Sequence, residues 1–220
     1  MKLKDIRAEV ENLVDDVFSY GPDDIDKYIN YTLSHVAGMV NLPTLKGVDV
    51  IRTVAGQAWI SLSSLTGKFS GKLRKVKTEE NTFPQLVPTL ELLMEQYPVF
   101  DEEGDIEAIT LEGYNLWFQK VPSESKLLTV VYYRNPTPLT SDDQEPEDIP
   151  DVCQRRLLVN GTAYMIFHEK EDGMEDGKKV NTEANYLIAF GDRNNDSGLN
   201  TLRRWIALNR SNAISSLWRY

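Results

Sequence analysis

Apolar residues along this chain recur first every three or four positions, then every two, then every three or four again. Leu3, Ile6, Val10, Leu13, Val14 and Val17 share one side of a 3.6-residue period and predict an amphipathic helix over residues 3–18. "SYGPDD" then closes one helix and opens the next. Gly21 suits a C-cap region, Pro22 suits a first helical turn, and Asp23, Asp24 and Asp26 complement the positive end of the helix dipole. The second helix runs to about residue 40 on Ile25, Ile29, Leu33, Val36 and Val40. So short a connection makes the two helices antiparallel neighbours.

Between residues 48 and 77 the period changes to two. "VDVIRTV", "AWISLSS" and "KLRKVKT" alternate apolar and polar positions, are punctuated by Gly56, Gly67 and Gly71, and read as strands. "PTLELLMEQYP" predicts a short helix stopped at Pro98. "AITLEGYNLWFQKVP" reads as one strand interrupted at Gly113 and ended by Pro122, and "KLLTVVYYR" as a further strand. From Asp151 to about Glu171 a helix is apolar almost all round, through Leu157, Leu158, Val159, Ala163, Tyr164, Ile166 and Phe167, the texture of a central buried helix. "EDGMEDGKK" is a turn, residues 180–191 and 199–208 are helical, and the final dozen residues lack periodicity.

Between the last strand and the buried helix lies "NPTPLTSDDQEPEDIPD", with four prolines, six acids and only Leu139 and Ile149 to bury. Strands before it and helices after it each lack a complete core alone, so it reads as a crossover inside one domain. The prolines keep it off the sheet, and Pro150 lies close to a helix start. The order helices, strands, helices fits an α+β fold, a helical bundle from the N- and C-terminal segments with a central antiparallel β segment. The expected organisation is one domain over residues 1–208 and a C-terminal tail over 209–220. Within that domain lie a helix pair at 1–41, a β-rich segment with a short helix at 48–134, and helices at 151–208.

The composition agrees with a folded protein: of 220 residues, 41% are hydrophobic and 26% charged, and such a length needs no disulfide or metal to fold. The lone Cys153 excludes an intramolecular disulfide. The first residues lack the apolar core of a signal peptide, and no run reaches the length of a membrane span. A net charge of -10 argues against a generic nucleic-acid surface. The charge is uneven: residues 101–107 and 142–151 are acid-rich, whereas residues 197–220 carry Arg203, Arg204, Arg210 and Arg219 and no acid.

Motifs for chemistry fail on spacing. "GMEDGKK" has three residues between its glycines where a phosphate loop needs four, and Lys179 stands where Ser or Thr must bind Mg²⁺. "DRNNDSGLNTLR" resembles a calcium loop, but its glycine comes one place late and Arg203 occupies the position of the closing Glu. His35 and His168 have no second His or Cys at ligand spacing, and Asp172 stands where a zincin motif needs His. Cys153, near a helix start with no neighbouring base, reads as packing. Two carboxylates facing across a cleft would make a glycan hydrolase, which sequence alone leaves open as the alternative. A DNA-binding module on the first helix pair is opposed by Asp15, Asp16, Asp23, Asp24 and Asp26 near their junction. The reading is binding and assembly, with no enzyme activity, cofactor or metal.

Several stretches together resemble the head-to-tail adaptor, or connector, proteins of tailed bacteriophages. Asp24, Ile25, Tyr28, Ile29 and Asn30 hold the places of that family's acid-rich second-helix start. Tyr132, Tyr133, Pro136, Leu139, Ile149 and Pro150 match its segment before an acidic loop and a proline-led helix. "LPTLKGVDV" replaces the turn many relatives carry after the second helix, and the acidic 101–113 stretch and long C-terminal tail depart from the pattern.

The resemblance implies a structural virion protein made in the host cytoplasm and placed at the head-tail junction. It implies a ring, dodecameric when assembled, bound to the portal protein above and to tail or nozzle proteins below. DNA would pass through as cargo during genome ejection, with no membrane involved. A ring meets head to tail, so two different patches must be complementary. The expected pair is the acidic loop, with Asp142, Asp143, Glu145, Glu147 and Asp148, against Arg203, Arg204 and Arg210. Leu217, Trp218, Arg219 and Tyr220 have the composition of an interface anchor and are expected in a portal groove or, on the blander reading, as a strap over the chain's own core.

Overall fold

The computed structural model describes residues 1–14, 21–98, 102–146, 148–170, 176–192 and 196–217, with the backbone alone at 170, 176–181 and 209–217. The chain divides into two compact units, a helical one of Met1–Thr44 with Pro136–Tyr220 and a β one of Leu45–Asn135. Helices and mainly antiparallel sheets together make the α+β fold that the periodicity predicts.

In the helical unit, α1 (Leu3–Val14) buries Leu3, Ile6 and Val10, one stripe at three- and four-residue spacing. Leu13, expected on that stripe, is 43% exposed, and residues 15–18 of the predicted helix lie outside the described residues. α2 (Pro22–Met39) starts with proline in its first turn and Asp23 and Asp24 at its positive end, and buries Ile25, Ile29, Leu33 and Val36. The central helix comes in three pieces: α4 (Asp151–Gln154), a π turn (Arg155–Val159) and α5 (Asn160–Lys170). Cys153, Leu157, Leu158, Val159, Ala163, Ile166 and Phe167 are all buried, as its all-round apolar texture requires. Gly161 lets α2 and the ring of Phe190 approach closely, since a Cβ there would lie 2.8 Å from both Thr32 Cγ2 and Phe190 Cζ. Thr162 Oγ1 donates to Thr32 Oγ1 across the same crossing at 3.1 Å.

α6 (Asp176–Ala189) begins earlier than the sequence suggests. The last helix corrects a reading more sharply. α7 runs from Gly198 to Leu217, so residues 209–217 continue the helix instead of forming an irregular tail. Residues 218–220 lie outside the described residues.

The acidic, proline-rich segment is held to this helical unit. Leu139 and Ile149 are buried. Asn30 pins the segment twice, its Nδ2 donating to the Leu139 carbonyl at 2.9 Å and its Oδ1 accepting from the Leu139 N–H at 2.7 Å. The Leu3 N–H donates to the Gln144 carbonyl, and Gln154 Nε2 donates to the Ile149 carbonyl.

The β unit is layered. Strands β1 (Lys46–Arg52), β7 (Leu127–Arg134) and β3 (Phe69–Thr78) form an antiparallel sheet in the order β1-β7-β3. A second sheet has the order β2-β6-β5-β4, from β2 (Trp59–Ser61), β6 (Asn115–Phe118), β5 (Ala108–Glu112) and β4 (Gln85–Leu86). The stretch read as one interrupted strand is a hairpin: β5 and β6 pair up to Glu112 and Asn115, and Gly113, at φ 61°, supplies the left-handed residue a two-residue turn needs. β4 escaped the sequence reading because two residues carry no period; it pairs parallel to β5.

The two sheets share a core in which Phe69, Val76, Val130 and Tyr132 of the first meet Ile109, Leu116 and Phe118 of the second. On the far face of the second sheet, α3 (Leu90–Gln96) packs Leu90, Leu92 and Leu93 against Ala108 and Trp117. Thr89 caps α3, its side chain accepting from the Leu92 N–H at 3.2 Å. The order of layers is therefore first sheet, second sheet, α3.

Candidate interaction surfaces

The acidic loop meets cations of its own chain. Arg7 on α1 forks onto Asp26 of α2, Nε to Oδ1 at 2.8 Å and Nη2 to Oδ2 at 2.7 Å, and the same Nη2 reaches Asp142 Oδ1 at 2.9 Å. The hydrogen bond to Asp26 raises the Arg7 pKa above its ordinary value, more than burial lowers it. Asp143 accepts from Lys2 at 3.0 Å and Lys4 at 3.1 Å, and these bonds hold its carboxyl below the usual range. Glu145 is exposed, Asp148 is buried at 8%, and Glu147 lies outside the described residues.

The arginines expected opposite this loop sit on α7. Arg203 donates to Asp192 Oδ1 at 2.8 Å and to Asn200 Oδ1 at 3.3 Å, and Arg204 is exposed. Arg210 and Leu217 lie on the helical backbone of α7, where side chains are not described; Trp218, Arg219 and Tyr220 fall outside the described residues. Asp142, Asp143 and Arg203 thus have intrachain partners, and a neighbouring subunit would have to compete with them.

A groove of about 560 Å³ borders the π turn, lined by Glu9, Leu13, Arg155, Val159 and Ile188 among others. Arg155 Nε donates to Glu9 Oε2 at 2.8 Å on its wall. Arg156 donates to the Asp196 carbonyl. Among the described residues no three His, Cys, Asp or Glu side chains converge in a way that would hold a metal ion. Burial pushes the Cys153 thiol up, the opposite of what a nucleophile needs.

A second surface escaped the sequence reading. The register of the three-stranded sheet places Lys46, Tyr133 and Lys72 in one cross-strand row, Val48, Val131 and Lys75 in the next, and Val50, Thr129 and Lys77 in a third. These rows lie on the side opposite the shared core, whose members Val130, Tyr132 and Val76 occupy the alternate rows; the face is open around Val48 and Val50, whereas Tyr133 in its first row is buried. Arg52 ends the same face on β1, and Arg74, at a register shift in β3, reaches the Tyr133 hydroxyl at 3.4 Å. The three strands hold seven of the 24 Lys and Arg of the chain and one of its 34 Asp and Glu, the inward Asp49. Val48 and Val50 are 57% and 62% exposed in the middle of this basic face. Lys75 lies over the Phe83 ring at 3.6 Å.

Asp49 and Tyr132 brace the inner side of β1. The Tyr132 hydroxyl donates to Asp49 Oδ2 at 2.8 Å and accepts from the Gly67 N–H at 3.0 Å, while the Thr66 N–H donates to the same Asp49 oxygen at 2.7 Å. Burial pushes the Asp49 carboxyl up, and these donated bonds outweigh it, leaving it below the usual carboxylate range.

The face is basic at its rim and apolar at its centre, around Val48 and Val50. No curated protein matches the chain. A sequence model of the family described as SU10 adaptor protein matches residues 1–212, a span that takes in both compact units. The helix start at Pro22–Asn30, the paired tyrosines of β7 and the strapped acidic segment that suggested a connector all lie within that span. With all but the last eight residues matched, the chain belongs to the SU10 adaptor protein family, the head-tail adaptors of bacteriophages.

Proposed function

We propose that this protein is a structural component of the virion, one domain over residues 1–208 with a C-terminal extension, that closes into a dodecameric ring joining the portal to tail or nozzle proteins. The observation that carries the reading is the family match over residues 1–212. Net charge supports the second half of it: at -10 the protein as a whole repels phosphates, which lets DNA slide through a lumen and leave during genome ejection. The protein acts without chemistry of its own. Asp49, Glu80 and Asp143 have carboxyl pKa values moved down, the wrong direction for the general acid of a glycan hydrolase.

The C-terminal stretch 209–220, with Arg210, Leu217, Trp218, Arg219 and Tyr220, is the anchor in a portal groove. The test is direct: purified protein is mixed with purified portal and imaged by negative stain, intact and with residues 211–220 deleted. A ring seated under the portal for the intact chain, lost on deletion, is expected. A ring that seats equally well without residues 211–220 removes the anchor, and no ring with portal present removes the adaptor role.

A further inference from the structure

We propose that the open face of the β1-β7-β3 sheet receives the outward face of α3 from a second copy of this chain. The inference rests on the reading above that the chain assembles with itself, and it names the surfaces that meet.

Two sides of the β unit match in chemistry. On one, exposed Val48 and Val50 are surrounded by Lys46, Arg52, Lys75 and Lys77. On the other, α3 turns outward Glu91, Met94 and Glu95, spaced three and four apart, with Met94 45% exposed between its two acids. An apolar centre with a charged rim of one sign faces an apolar centre with a rim of the other, the anatomy of a protein contact. Because the layers run first sheet, second sheet, α3, the two patches lie on opposite sides of the unit. A contact between opposite sides is heterologous and repeats from copy to copy, which is what a ring requires.

The sheet cannot serve as its own partner. Two such faces would oppose cations to cations, and antiparallel pairing of two β1 edges about Asp49 would set Lys46 against Arg52. Duplex DNA fits the cations, yet would leave the valine centre against phosphates and sugars.

The experiment uses the full chain carrying Cys153→Ser with Val50→Cys and Met94→Cys, oxidised with diamide. Bands above the dimer need two different cysteines per chain, so a ladder of trimers and longer species is expected from the double-cysteine protein. Lys75→Glu with Lys77→Glu in that background is expected to cut the ladder at least tenfold. Adding Glu91→Lys and Glu95→Lys to the same chain restores opposite signs and is expected to bring the ladder back, which a folding defect would not allow. Absence of a ladder while rings still form with portal overturns this interface and leaves the adaptor reading standing. A ladder indifferent to the charge changes, or replaced by binding of a 30-base-pair duplex to the sheet, overturns it as well. Neither ladder nor ring defeats both readings.

Discussion

Replacing Tyr132 by Phe removes one oxygen from the β unit and leaves the ring in place. Tyr132 is 2% exposed and its ring stacks edge-on to Phe69 at 5.9 Å, so the change opens no cavity worth counting. Two bonds go. The hydroxyl no longer donates to the Asp49 carboxylate, a loss of about 1.5–3 kcal/mol for a bond to a charged group, and the Gly67 N–H loses its acceptor, about 1–3 kcal/mol if water cannot replace it. These share one atom and partial rehydration of the loop offsets some of the cost, so a net loss of about 3 kcal/mol at pH 7 is expected. The pH dependence adds a second, independent check. A carboxyl with a depressed folded pKa contributes stability above its unfolded pKa, and that contribution is lost as pH falls through the folded value. Tyr132→Phe takes away one of the bonds that depress Asp49, so the penalty is larger at pH 7 than at pH 3. Urea denaturation followed by tryptophan fluorescence at both pH values measures it. A penalty below about 0.5 kcal/mol at pH 7, or one that grows toward low pH, would refute the reasoning.

Other substitutions probe the helical unit and its surface. Leu158→Ala, at a fully buried position, should cost about 2–5 kcal/mol, whereas Leu13→Ala, at 43% exposure, should cost less than about 1 kcal/mol; equal losses by chemical denaturation would contradict the burial described. Gly161→Ala should destabilise by about 1–3 kcal/mol because its Cβ meets Phe190 and Thr32 at 2.8 Å. Gly38→Ala, with nothing within 4 Å, should raise stability by about 0.5–1 kcal/mol, the two being compared by thermal melts. Arg7→Met breaks the fork to half-buried Asp26 and should cost about 1–3 kcal/mol. Asp143→Asn, on a solvent-exposed pair, should leave the midpoint of the same denaturation assay close to that of the unaltered protein.

Helices were legible wherever one face is buried, because burial imposes the period: Ile25, Ile29, Leu33 and Val36 read directly as α2. The hairpin at Gly113 was half legible. Its glycine was seen, yet a two-residue turn leaves the alternation nearly unbroken on both sides, so two strands read as one. Residues 209–217 offer only Ala213, Ile214 and Leu217 as apolar positions, too few in so short a stretch to announce a helical period. The acidic loop was legible as charge, but its cations Lys2, Lys4 and Arg7 come from the far end of the chain, which no local pattern reveals. The basic sheet face stayed hidden for a related reason. Lys72, Arg74, Lys75 and Lys77 crowd a single window of β3, but they join Lys46 and Arg52 in one surface only when β7 aligns β1 with β3. A register shift between Leu73 and Lys75 further blurs the alternation that would have betrayed it.

The π turn at Arg155–Val159 sets the phase of the central helix. An α-helix advances about 100° per residue, so one extra residue in a turn rotates everything after it by that angle relative to everything before. Here α4 faces α7, while α5, beyond the turn, faces α1, α2 and α6. One continuous rod thereby addresses two sets of neighbours. Trimming a single residue from these five would return the stretch to ordinary α geometry and swing Ile166 and Phe167 away from their seats. Chain length at Arg155–Val159 is therefore keyed, and relatives of this protein should tolerate insertions in the exposed turn at Gly56 long before they tolerate a change of one residue here.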